Sequence, residues 1–143
     1  ETRKIIISTG PVERKNMCSL VSSADFGLAP YKAIPDAWQT GKNLYHLGLS
    51  SGKISYYALC GLPILARSLP VFEREFSNYQ CGKTYLRLAE TGTLLEEMSR
   101  DYQHYSKESV RFYYERLNPV DGMEKFCDRL MDLAKADLKA RSS

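Results

Sequence analysis

The chain has 143 residues, of which 43% are hydrophobic and 26% charged, and its formal net charge is +3. This composition is typical of one globular domain, and a chain of this length buries roughly two thirds of its unfolded surface without a disulfide or metal staple. Basic and acidic residues alternate along the chain instead of clustering. The sequence therefore argues against a protein that binds nucleic acid.

The distribution of hydrophobic residues and cysteines indicates the cellular compartment in which the protein is expected. No apolar run approaches the roughly 18 residues that a membrane span needs, and the first residues do not have the charged-then-apolar pattern of a secretory signal. The four cysteines form no C-x-x-C pair, and we interpret them as reduced, buried hydrophobic side chains. They are Cys18, Cys60, Cys81 and Cys127. We predict a cytoplasmic protein.

The first predicted elements are short and alternate in type. Residues 4–8 predict a buried strand that Gly10 and Pro11 end. Residues 13–22 have the apolar spacing of a helix, and residues 25–30 predict a second strand that ends at a proline. About 20 residues without periodicity follow, and a loop of that length in a compact domain is more often functional than structural.

The same alternation continues after this loop. Residues 53–60 predict a helix, Gly61 is its stop signal, and residues 63–67 predict the next buried strand. Residues 71–79 place their apolar side chains on one face of a helix, and residues 82–85 predict a last short strand.

The C-terminal part of the chain is helical by its spacing. The pattern runs from Thr93 almost to the end, with a break at Asn118 and Pro119. Because strands alternate with helices before it, we predict an α/β fold with right-handed crossovers. The predicted fold is a small, doubly wound, Rossmann-like parallel sheet of about four strands, with helices on both faces and a helical C-terminus. No linker or repeat divides the chain, so we interpret residues 1–143 as a single domain.

Three segments carry a resemblance to a known family. They are ADFGLAP at 24–30, SGKISYYALCGLPILA at 51–66 and GKTY at 82–85. In this order they resemble a strand, a helix–strand unit and the last strand of the C-terminal, donor-binding domain of GT-B fold glycosyltransferases. The resemblance covers nearly the whole chain. It implies transfer of a sugar from a nucleotide sugar to a glycan, lipid-linked or protein acceptor, without a cofactor.

The chain departs from that family in two respects. Many retaining members have glutamates at the places of Gly48 and Tyr56, and the second typically binds the ribose hydroxyls. A branch of the family with a similar S-G-K loop lacks this glutamate, and the chain is more similar to that branch. The chain also lacks the first βα units of a complete donor domain and the acceptor domain.

The second departure implies a partial, C-terminal half of a longer enzyme. The missing N-terminal domain would then be a partner of this chain and the source of the catalytic base. No catalytic residue is assigned here, and the fragment alone is expected to be inactive. Peripheral membrane association of the full enzyme is compatible with the resemblance.

Four consecutive residues form the sharpest candidate site. Ser50, Ser51, Gly52 and Lys53 precede the predicted helix or begin it. A glycine lets a ligand approach the backbone, and the N–H groups and dipole at a helix start attract an anion. With the lysine charge and two hydroxyls, this loop is suited to the β-phosphate of a nucleotide sugar as that phosphate becomes the leaving group. The alternative makes Ser51 an ordinary N-cap and Lys53 a solvated residue.

Three further residues complete the predicted donor site. Tyr31 follows a strand at the carboxyl edge of the sheet, where open α/β sheets bind ligands. We expect it either to stack on the base or line the sugar site, or to pack beneath the loop. Asn43 is a candidate for the sugar hydroxyls, and Tyr56 occupies the place of the ribose-binding glutamate. No carboxylate–histidine cluster has metal-ligand spacing, so we predict no metal site.

Two other functional classes remain open. The first is a non-catalytic interaction module, either a degenerate GT-B domain or a receiver-like domain. A receiver needs clustered acids at the end of its first strand, and residues 1–4 contain no such cluster. The second is a GT-B fold epimerase or phosphorylase, which needs additional acids or a cofactor lysine that the sequence does not supply.

Overall fold

The computed structural model describes residues 10–32, 44 and 48–141. Within these residues the chain forms a three-stranded parallel sheet. The strands are β1 (Gly27–Ala29), β2 (Ile64–Arg67) and β3 (Gly82–Tyr85). The α-helices are α1 (Met17–Val21), α2 (Gly52–Leu59), α3 (Pro70–Tyr79), α4 (Thr91–Arg100), α5 (Tyr102–Phe112) and α6 (Pro119–Arg141). A 3-10 turn at Gly48–Ser50 precedes α2, and a π-helical turn at Tyr113–Leu117 joins α5 to α6.

The predicted α/β fold is confirmed. The strands lie in the order β1-β2-β3, and each pairs in parallel with the next. Gly27 lies opposite Ile64, which in turn lies opposite Gly82. The sheet of the described residues has three strands where the sequence predicts about four. The missing one, predicted at residues 4–8, lies outside the described residues.

The two faces of the sheet carry separate apolar clusters. Alternate residues of a strand point to opposite faces, so Ile64 and Ala66 of β2 join one cluster and Leu65 joins the other. The first cluster includes buried side chains of α2, α3 and α5. The second includes Met98 of α4, which is fully buried. Helices therefore cover both faces, as predicted for a doubly wound sheet.

Gly61 ends α2 by the mechanism that the sequence indicates. Its φ is +70°, a left-handed conformation that few side chains tolerate. The N–H of Gly61 donates to Ala58 at 3.1 Å, and the N–H of Leu62 donates to Tyr57 at 2.9 Å. These two bonds satisfy the last helical carbonyls in a Schellman motif. The chain then enters β2 directly, which fixes α2 against the sheet.

Two buried polar side chains hold the later helices in place. The Ser109 hydroxyl of α5 lies 2.9 Å from the carbonyl of Leu62 and 3.0 Å from that of Cys81, the residues just before β2 and β3. Glu75 of α3 is only 2% exposed. Its carboxylate accepts from Arg74 at 2.8 Å and from Arg116 in the π-helical turn at 3.4 Å. A buried charge needs such partners, so Glu75 ties α3 to the π-helical turn.

The last helix carries an exposed apolar side. Its large hydrophobic side chains recur three or four residues apart, a spacing that puts them on one side of a helix. All are about half exposed or more: Val120, Met123, Phe126, Leu130, Met131 and Leu133. No helix among the described residues is long and apolar enough to cross a bilayer.

The prediction that the cysteines are buried is wrong for three of them. Cys81 is buried, whereas Cys18 and Cys127 are exposed and Cys60 is half-buried. Cys18 lies on α1, none of whose residues is buried. Cys127 lies on α6, beyond the packed body. Apolar spacing located both helices correctly but did not show how far each one is covered.

Candidate functional site

Three of the predicted site residues meet at the carboxyl end of β1. Tyr31 follows this strand and hydrogen-bonds through its hydroxyl to the hydroxyl of Ser51. Ser51 is the residue before α2, and Lys53 lies in the first turn of that helix. The Lys53 ammonium lies 5.8 Å from the centre of the Tyr31 ring, within cation–π range. The end of β1 and the start of α2 are therefore in contact.

Ser51 does not act as an ordinary N-cap. Its backbone is extended, as at a cap position, but its side chain makes no capping hydrogen bond. Its backbone carbonyl accepts from the N–H of Ile54 at 3.1 Å, while its buried hydroxyl pairs with Tyr31. The first N–H groups of an α-helix have no partner within the helix, and this serine side chain does not supply one.

The Tyr31 ring serves as packing between β1, α2 and α3. It stacks on Phe72 with ring centres 6.0 Å apart and planes 25° apart. Lys53 lies near the ring as well. A nucleotide base therefore does not stack on Tyr31 without displacing one of these neighbours. In this structure the ring packs against Phe72 of α3. Most of the loop that follows Tyr31 lies outside the described residues.

Tyr57 belongs to the same contact set, although the sequence analysis assigned it no role. It lies one turn after Lys53 on α2 and donates from its hydroxyl to the carbonyl of Leu28 at 3.2 Å. Its ring covers Gly27, where any Cβ atom would overlap it. Burial raises the pKa of Tyr57, and nearby Tyr31 raises it further. The sequence signal for this role was the spacing of four residues between Lys53 and Tyr57, which puts both side chains on the same face of a helix.

A cavity lies along α2, from Gly52 at its start to Leu59 at its end. Its volume is about 370 Å³, which lies in the range of small-molecule sites. Tyr56 lines it together with Gly52, and an exposed arginine, Arg14, lies at the same cavity. The remaining lining residues are Ser55, Leu59, Tyr113, Leu117 and Pro119. Tyr56 is thus separate from the Tyr31 contact set, with Gly52 between the two.

Gly52 lies between the Tyr31 contact set and the cavity residues. A Cβ atom added there would meet no other atom within 4 Å, so the backbone at the helix start is open to a ligand. Ser50 is exposed in the preceding 3-10 turn. Asn43, predicted to bind sugar hydroxyls, lies outside the described residues.

The chemistry available here is the binding of an anion. Lys53 lies in the first turn of α2, and Arg14 lines a cavity that Gly52 also lines, so two cationic side chains belong to the region at the positive end of this helix dipole. No group of three or more His, Cys, Asp or Glu side chains within the described residues is arranged to hold a metal ion. Sequence reasoning missed Arg14, because it comes from a segment distant along the chain.

Comparison with known proteins adds no assignment. No protein-family model matches the chain, and no curated protein or solved structure matches it either.

Proposed function

We propose that this chain is the nucleotide-sugar donor-binding domain of a GT-B fold glycosyltransferase. The whole enzyme would transfer a sugar from a nucleoside-diphosphate donor to a glycan, lipid-linked or protein acceptor. The acceptor domain and the catalytic base would come from an N-terminal part of the same enzyme. The compartment proposed for this donor-binding part is the cytoplasm.

The observation that carries the proposal is the open start of α2 at Gly52. It lies at the carboxyl edge of a parallel sheet, where α/β folds bind nucleotides. Lys53 lies on one side of it, and the cavity with Arg14 and Tyr56 lies on the other. A diphosphate at this point would receive backbone hydrogen bonds and two positive charges, and the cavity has room for the nucleoside or the sugar.

The same groups would assist the chemical step. Glycosyl transfer breaks the bond between the sugar and the β-phosphate, and negative charge grows on that phosphate as the bond breaks. N–H groups and cations that are already in position stabilise this charge more strongly than they stabilise the bound donor. In this proposal Lys53 and the amides of Gly52 and Lys53 act on the leaving group, and Ser51 and Tyr31 hold the loop in shape.

Titration of the full-length protein with UDP, GDP and dTDP tests this assignment. We expect one of them to bind, and Lys53→Ala to weaken it by about tenfold, which corresponds to about 1.4 kcal/mol of binding free energy. Lys107→Ala removes an exposed lysine from α5 and should bind like the wild type. If no nucleotide binds, or if Lys53→Ala binds as tightly as the wild type, the phosphate site is wrongly assigned.

The exposed apolar side of α6 favours a second candidate, a non-catalytic interaction module. Exposed apolar surface of this extent usually marks a contact with another protein or domain. This exposed side is expected for an interaction module, and it is equally expected for a glycosyltransferase in which another domain precedes this one. Nucleotide binding separates them, because the module requires none.

A further inference from the structure

Two cysteines from distant parts of the sequence lie next to each other. Cys18 is on α1, and Cys60 is the residue that follows the last turn of α2, 42 positions later. The sulfur of Cys60 lies 3.8 Å from the backbone carbonyl oxygen of Cys18. Burial raises the pKa of the Cys60 thiol, the Ser22 hydroxyl opposes this, and the Cys18 thiol raises it further. The two thiols are therefore neighbours in the folded chain.

Solvent reaches this pair. Cys18 is exposed and Cys60 is half-buried. The other two cysteines differ from the pair in one respect each. Cys81 is buried, and its pKa is raised to about 12, so it has almost no thiolate at neutral pH. Cys127 is exposed, but among the described contacts none joins it to another thiol.

We propose that Cys18 and Cys60 are an oxidation site at which a peroxide forms a disulfide between α1 and the end of α2. In the first step the Cys18 thiolate attacks one peroxide oxygen, and the sulfur becomes a sulfenic acid. The O–O bond breaks, and the other oxygen leaves as hydroxide, which forms water with the proton that the Cys18 thiol released. In the second step the Cys60 sulfur attacks the sulfenic sulfur, the S–O bond breaks, and the hydroxyl leaves as water after taking up the Cys60 proton. Two thiols and one hydrogen peroxide give one disulfide and two waters. The two electrons lost by the sulfurs reduce the peroxide.

The disulfide would restrain a lightly held element. No residue of α1 is buried, so little apolar packing opposes the local opening of this helix. A covalent link to Cys60 would attach α1 to the end of α2 that lies next to the left-handed Gly61. The inference does not require nucleotide binding, because Gly52, the centre of the proposed phosphate site, is at the opposite end of α2.

Thiol counting and peptide mapping of the full-length protein test the proposal. After treatment with hydrogen peroxide and alkylation of the remaining thiols, we expect the free thiols of this segment to fall from four to two. A peptide pair joined through Cys18 and Cys60 should appear in the mass spectrum and disappear on reduction. Cys127→Ser should give the same joined pair.

Serine variants and a thermal melt complete the test. In Cys60→Ser, Cys18 should stop at the sulfenic acid, which dimedone labels. Oxidised wild type should melt at a higher temperature than reduced wild type, and Cys18→Ser should not show this shift. Full alkylation of Cys18 and Cys60 after peroxide treatment of the wild type would overturn the proposal. So would a linkage of Cys18 to Cys127 in equal yield. The wild-type map decides even if a variant folds poorly.

Discussion

Gly82 shows most clearly how a single residue type is required by the fold. It is the first residue of β3, and a Cβ atom there would overlap the backbone carbonyl oxygen of Ile64 on β2. The carbonyl cannot move aside without loss of strand pairing. We expect Gly82→Ala to lower the free energy of unfolding by roughly 3 kcal/mol, measured by urea denaturation.

The matched control for this substitution is Gly92→Ala in the first turn of α4. A Cβ atom at Gly92 would have no neighbour within 4 Å. Because alanine loses less conformational entropy in a helix than glycine, this variant should be as stable as the wild type or more stable, by up to about 1 kcal/mol. Equal stability of both variants would show that β2 and β3 are not packed at Gly82 as described.

Single residues also explain why the candidate site was only partly predictable. From the sequence, Tyr31 and Lys53 are expected at one edge of the sheet. Tyr31 follows a parallel strand and Lys53 begins a helix, and in α/β folds strand ends and helix starts meet at the carboxyl edge. It did not predict that the Ser51 hydroxyl pairs with Tyr31 instead of capping α2. That pairing depends on the directions of two side chains 20 residues apart, which no local pattern records. The same reason explains why Tyr57 and Arg14 were not assigned to the site.

The helices differ in how much they stabilise the body, as α5 and α6 show. Phe112 of α5 is fully buried in the main apolar cluster, whereas Phe126 of α6 is 58% exposed. We expect Phe112→Ala to cost about 3–5 kcal/mol of unfolding free energy, as for a large core side chain. Phe126→Ala should change it by about 0.5 kcal/mol or less, because little surface is newly exposed. Urea denaturation followed by circular dichroism measures both.

The comparison of these two phenylalanines tests where the core ends. Similar losses from both substitutions would mean that α6 packs on the body in solution. A stable Phe112→Ala variant would mean that the cluster around α5 is not the core. Either result would require a different division of the helices.

Element types were the most predictable part of the fold. Gly61, Pro70 and Pro119 stand at element ends, and each acts there through its backbone: Gly61 by a positive φ, and the prolines by starting helices. Helical spacing also located α6. Spacing reports which side of a helix is apolar, but not what covers that side. For this reason the sequence predicted buried Cys18 and Cys127, and both are exposed.

At the scale of the whole molecule, ionisable groups set a range of pH in which the fold is most stable. Hydrogen bonds from Arg87 and Lys83 lower the pKa values of Glu90 and Glu97 below their ordinary 4.5. A carboxylate with a lowered pKa adds stability above that ordinary value, and the stability is lost as pH falls through the folded pKa. Both carboxylates lie at the surface, so the free energy of unfolding should fall only gradually as the pH decreases. The fall should be more gradual still at high salt.

The free energy of unfolding should fall more steeply at alkaline pH, because the largest contribution there comes from a buried thiol. Burial raises the pKa of Cys81 from 9.0 to about 12, so the folded chain keeps its proton where the unfolded chain loses it. The stabilisation is complete below about pH 9 and is lost as pH rises toward 12, at about 1.4 kcal/mol per pH unit. The pKa of Cys60 is raised as well and adds a smaller slope in the same range.

Cys81→Ala isolates this contribution. The variant should be less stable at neutral pH, because it leaves a small cavity, but its unfolding free energy should fall less steeply between about pH 9 and about pH 10.5. Cys127→Ala removes an exposed thiol and should keep the wild-type slope. Urea denaturation at a series of pH values, with reductant present, measures the slopes. Parallel curves for Cys81→Ala and the wild type would show that Cys81 ionises equally in both states, and hence that the space between α5 and the start of β3 admits water.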